Sequence, residues 1–121
     1  MRAVDEKEQS SLYESMADCL FYFEDAAGIV AAGPGRALQQ FNGHFAAAWE
    51  LRQEILVGAS LVGWSGLTEA LRQSVDRLVG AAAALPEAAF AGNDASELFH
   101  PSWEQVREAA NRFLAAREQA G

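Results

Sequence analysis

Few side-chain combinations in this chain have the types and spacing for chemistry. Glu97-Leu98-Phe99-His100 has the Glu-x-x-His spacing of carboxylate-bridged metal bundles, where both side chains project inward from one helix. Pro101 follows at once, which puts His100 at or before a helix start, and the second Glu-x-x-His that such a centre needs is missing. His100 therefore reads as a capping or packing residue at a helix entrance. His44, next to Gly43, has no carboxylate three or four residues away and reads as a satisfied, partly buried histidine. Cys19 is the single cysteine and falls on an apolar stripe in an acidic stretch. Reactive thiols need electropositive, exposed surroundings, so Cys19 is expected to be buried and inert. Gly33-Pro34-Gly35-Arg36 is glycine-rich but follows a helix and lacks the Lys-Ser/Thr of a phosphate loop, so it reads as a turn. No catalytic residue, metal or cofactor is assigned, and the chain is not expected to be an enzyme.

The elements that would position these residues are helical. Leu12, Met16, Cys19, Phe23, Ala26 and Val30 recur at 4-3-4-3-4 spacing, which predicts a first helix over about 6–31. Leu20-Phe21-Tyr22-Phe23 would suit a strand in isolation, but its embedding in this period decides for helix. Gly33-Pro34-Gly35 breaks the pattern. Leu38, Phe41, Phe45, Ala48, Arg52 and Ile55, widened by Trp49 and Leu56, predict a second helix over 36–57 with Asn42-Gly43 as its weak point. The glycine-punctuated but apolar GASLVGWSG at 58–66 suits a corner tucked on the core, with Ser65 placed to cap the next helix. That third helix, 66–85, carries Leu67, Leu71, Ser74 or Val75, Leu78, Ala82 and Leu85 and stops at Pro86. Asp94 and Glu97 can cap a single turn over 96–99. Pro101 then opens a fourth helix, 101–118, with Trp103, Val106, Ala110 and Phe113 inward. The expected fold is all-α: an antiparallel bundle of about four helices in a single domain over 1–121.

At 100° per residue, Phe21 lies almost opposite the stripe of Leu12, Met16, Phe23 and Val30. Glu14, Asp18, Phe21 and Asp25 share that opposite face at i, i+4, i+7 and i+11. Glu14 and Asp18 repel across one turn by a few tenths of a kcal/mol, about the size of a helix ion pair with its sign reversed, so helix stability does not select them. An aromatic anchor among carboxylates suits an Arg- or Lys-bearing surface, and these four residues are the candidate partner-binding set. The alternatives are that Phe21 seats in a homodimer seam or packs into the core under the last helix.

Charge narrows the partners. Seventeen Asp and Glu against nine Lys and Arg give a net charge of −8 and a pI near 4.6. That argues against direct binding to a nucleic-acid backbone or an anionic membrane and for a protein with a basic surface. One cysteine forbids an intrachain disulfide, and the polar, acidic MRAVDEKEQS start lacks the pattern of a signal peptide, so a cytoplasmic location is expected. Eight of the nine basic residues are Arg, as in GC-rich bacterial or phage coding sequences.

Trp64-Ser65-Gly66 between two helices resembles the turn of the small secreted helical-hairpin proteins named for a Trp-x-Gly motif, over about residues 36–85. The chain departs from that family in having a helix before the hairpin. Its only tyrosines are Tyr13 and Tyr22, so it also lacks the family's C-terminal Tyr-x-x-x-Asp/Glu export signal. The resemblance implies a secreted hairpin as one alternative. A bundle with a ligand pocket lined by Trp49, Trp64 and Trp103 is another. The leading expectation is a small acidic binding protein, acting as a stoichiometric inhibitor, immunity or adaptor factor through the outer face of the first helix.

Overall fold

The computed structural model describes the backbone of residues 6–120 and the side chains of 14–119. Five α-helices make up the fold, with no strand among the described residues: α1 (Glu6–Ala31), α2 (Pro34–Gln40), α3 (Ala47–Leu56), α4 (Glu69–Ala83) and α5 (Trp103–Ala120). Three 3-10 turns, at Val57–Leu61, Glu87–Ala89 and Ala95–Phe99, fill the connections. The buried residues form one cluster, built chiefly where α5 packs on α4 and on α1.

The inward face of α1 follows its sequence period: Phe23, Ala26 and Val30 are buried, and Met16 and Cys19 pack partly buried against the core. Leu12 lies outside the described side chains. Phe23 meets Phe113 of α5 edge-on at 4.9 Å between ring centroids. On its other side Gly58 presses so close that a Cβ there would stand 2.3 Å from the ring. The glycine in that corner is thus fixed by the phenylalanine it faces.

The second predicted helix is two helices, and the reason is local. Asn42 (φ 55°) and Gly43 (φ 69°) are consecutive left-handed residues, which no α-helix continues through. The Gly43 N–H turns back to the Leu38 carbonyl at 2.9 Å, closing α2. The start also moves: α2 begins at Pro34 in the first helical position, where the missing N–H costs nothing. After the break the helical phase is reset. Ala47, Ala48, Leu51 and Ile55 form the buried stripe of α3, while Phe45 and Trp49, expected inward, are 59% and 45% exposed.

Both histidines serve the helix starts. His44 Nδ1 accepts the Ala46 N–H at 3.2 Å just before α3. His100 Nδ1 accepts the Ser102 N–H at 3.2 Å just before α5, with the Ser102 hydroxyl 2.7 Å away. Each sits three residues ahead of its helix, and each carbonyl also accepts the first helical N–H. The capping role read for His100 holds, and His44, exposed rather than partly buried, shares it.

The third helix expected from sequence is α4, and it starts at Glu69, later than expected, because Thr68 rather than Ser65 is its cap: Thr68 Oγ1 accepts the Leu71 N–H at 3.2 Å. Ahead of it the corner is held by Arg72. Its guanidinium donates to the carbonyls of Val62 (2.7 Å), Trp64 (3.1 Å) and Leu67 (3.4 Å) and to Glu69 Oε2 (2.7 Å). Arg52 works similarly at the far end of α4, donating to the Ala82 carbonyl at 3.0 Å while its charge lies 3.9 Å from the centre of the Phe90 ring. In the last connection Asp94 accepts the Ser96 N–H as the cap expected from sequence, while the Glu97 carboxylate reaches past Asp94 to accept the N–H groups of Gly92 and Asn93.

Candidate functional site

The outer face of α1 is where the sequence placed the candidate residues, and Glu14, Asp18, Phe21 and Asp25 are all exposed there. Phe21 is 66% exposed, so packing into the core is ruled out for it. Tyr22, which the sequence reading left aside, stands next to it at 70% exposure, its ring edge-on to Phe21 at 5.5 Å. Two large rings therefore project from successive positions of one acidic helix, and each leans over a different depression.

On one side lies a groove of about 580 Å³. Phe21, Asp25, Gly28 and Ile29 of α1 form one wall, with Arg36 and Gln39 of α2 opposite and Leu114 of α5 at an edge. Glu24, at its margin, accepts from Arg117 Nε at 3.2 Å and so ties α1 to α5. Gly28 has open space where a Cβ would be. Neither close packing nor a positive φ demands a glycine there, although it costs the helix about 1 kcal/mol relative to alanine.

On the other side lies a cleft of about 520 Å³ between α1 and the end of α3. Tyr22, Phe23, Cys19 and exposed Val57 give its apolar surface, and Asp18, Asp25 and Glu54 give it three carboxylates. Among the described residues its lining contains no basic side chain. Glu54 binds its proton more tightly than an ordinary carboxyl: desolvation in the cleft is the main cause, followed by the charges of Asp25 and Glu50. Its signal in the sequence was weak, because Glu54 joins Asp25 only through the packing of α3 on α1. Cys19 is partly buried rather than fully so, with its Sγ 3.8 Å from the Ser60 hydroxyl.

The three tryptophans occupy three different surroundings. Trp103 is buried and donates its indole N–H to the Ala89 carbonyl at 2.9 Å. Trp49 lies half-exposed against Gly92. Trp64 borders a depression with Leu20, Leu67 and Arg117, and its ring covers Gly66 so closely that a Cβ there would stand 2.4 Å away. That contact gives the Trp-x-Gly triplet a local packing reason. No group of three or more His, Cys, Asp or Glu among the described residues is placed to hold a metal ion. No helix among them is long and apolar enough to cross a membrane. Comparison with family models, curated proteins and solved structures finds no match to this chain.

Proposed function

We propose that this is a protein-binding protein that meets a basic partner surface through the outer face of α1, with Phe21 as the apolar anchor and Glu14, Asp18 and Asp25 as the flanking charges. The observation that supports it is the exposure of Phe21, two residues from a phenylalanine the core uses fully. An aromatic ring left in water on a helix rich in carboxylates has its natural complement in an Arg- or Lys-bearing surface. A symmetric homodimer through the same face would bring like charges together, because an isologous contact pairs each patch with its own copy. A different, basic protein relieves that repulsion. The concrete form is a stoichiometric inhibitor, immunity or adaptor factor acting in the cytoplasm.

The test is retention of proteins from the source cells on immobilised wild-type chain and on a variant with Glu14, Asp18 and Asp25 all changed to Lys. One basic protein held by the wild type at moderate salt and lost by the variant is the expected result. An empty wild-type column, or equal retention by both, would sink the reading.

A further inference from the structure

The cleft between α1 and the end of α3 is the part of this surface with the most definite chemistry. We propose that it seats an arginine side chain of the partner, with the aliphatic stem on Tyr22 and Val57 and the guanidinium among Asp18, Asp25 and Glu54; this rests on the protein-binding reading above. Charge complementarity and shape select the occupant together. Among the described residues the lining is an apolar trough of Tyr22, Phe23, Cys19 and Val57 carrying three carboxylates and no cation. A purely apolar side chain would bury those carboxylates without compensation, at a cost that rules it out. A small hydrated cation would leave the exposed Tyr22 and Val57 surfaces wet. Arginine satisfies both halves, since its stem covers apolar surface while its planar head stacks on an aromatic face and forks onto carboxylates. At about 520 Å³ the cleft has the size of pockets that hold whole small ligands, so it has room for a long side chain with the backbone that carries it. The raised proton affinity of Glu54 fits the same picture: desolvation in the cleft is its main cause, and the charges of Asp25 and Glu50 add to it.

The experiment is an amide-resolved NMR titration of the full chain with a short end-capped peptide carrying one central arginine, run beside the same peptide with citrulline, which keeps the shape and removes the charge. Saturable shifts are expected at Asp18, Cys19, Tyr22 and Val57, with citrulline weaker by roughly tenfold, the scale of a lost charge-assisted hydrogen bond. Glu54→Gln should weaken the arginine peptide severalfold. Asp76→Asn, at an exposed position of α4 outside the cleft lining, should not. Equal response to both peptides, or shifts spread evenly to distant acids such as Asp76 and Glu104, would overturn the assignment. If the arginine peptide fails while a natural partner still depends on Phe21, this inference falls and the protein-binding reading stands. If the peptide binds as described and no partner is retained by the wild type, the reverse holds.

Discussion

Phe21 and Phe23 are the same residue type on the same helix, two positions apart, and the fold treats them oppositely. Phe23 is 2% exposed, wedged between Phe113 and Gly58, whereas Phe21 is 66% exposed and touches Tyr22. The rotation of 200° between them accounts for the geometry but not for the choice of residue. Folding explains a phenylalanine at 23. It supplies no reason for one at 21, where a polar side chain would serve the helix as well and keep an apolar ring out of water.

Substitutions can sharpen this contrast. Phe23→Ala should show the largest effect, a loss of about 3–5 kcal/mol in denaturant unfolding, because it removes a buried ring and leaves a cavity against Phe113. A loss under about 1 kcal/mol would mean that α1 is not docked as described. Gly58→Ala attacks the same contact from the other side. The added methyl would stand 2.3 Å from the Phe23 ring, in the fully packed part of the core, so a loss of about 1–3 kcal/mol is expected. The double variant with Phe23→Leu should recover part of it by making room, which separates a steric cause from a change in backbone preference.

The corner that carries Gly58 makes a second contrast with the outer face of α1, since its polar groups are engaged whereas the carboxylates of Glu14, Asp18 and Asp25 have no hydrogen bond or ion pair among the described residues. Arg72→Lys keeps a positive charge near Glu69 but cannot reproduce the fork onto the Val62, Trp64 and Leu67 carbonyls. A loss of about 1–3 kcal/mol is expected, with increased amide exchange confined to residues 62–68. Uniform exchange across the chain would show that the staple is not local.

What the sequence made legible divides along the same line. Helices with an unbroken 3.6-residue period, α1, α4 and α5, could be read because burial imposes that period on the residue types. The second segment could not, because the apolar residues on both sides of Asn42-Gly43 happen to continue one period while the backbone there turns left-handed. Phe45 and Trp49 were placed inward for that reason. The roles of Arg72 and Arg52 were not legible either, although Arg52 stood on the expected inward stripe, since a side chain that binds carbonyls 30 residues away or around a corner leaves no local pattern. On the outer face of α1 the angular argument alone was enough to place Glu14, Asp18, Phe21 and Asp25. Glu54 and Val57 join that face only through tertiary packing, and with them the cleft was out of reach.

The smaller effects belong to the outer face. Phe21→Ala should leave unfolding free energy within about 0.5 kcal/mol of the wild type, as for surface positions generally, while affinity for the retained basic protein falls. A loss of several kcal/mol would place Phe21 with Phe23 as a folding residue and erase the contrast. Binding unchanged by the substitution would remove Phe21 from the interface.

Two carboxylates test the electrostatic side of the comparison by the sign of their pH dependence. Glu54 has a raised proton affinity in the folded state, through desolvation and the charges of Asp25 and Glu50, so the fold binds its proton more tightly than the unfolded chain does. Stability therefore falls as pH rises from the ordinary carboxyl range through the raised folded value, and ionised Glu54 opposes folding at neutral pH. Asp94 has the opposite sign: accepting from Ser96 holds its carboxyl below the ordinary range, so its contribution is present at neutral pH and lost as pH falls through the folded value. Glu54→Gln should raise Tm slightly at pH 7, with the gain shrinking toward pH 4. Asp94→Asn should lower Tm slightly at pH 7, with the loss shrinking as the pH is lowered. Asp18, Cys19, Tyr22 and Asp25 of α1 line the cleft with Glu54, and none of them is basic, so an added arginine peptide should erase the Glu54→Gln gain by neutralising the charge it removes. If the gain persists unchanged at saturating peptide, the guanidinium does not reach Glu54, and the carboxylates of this cleft are merely crowded.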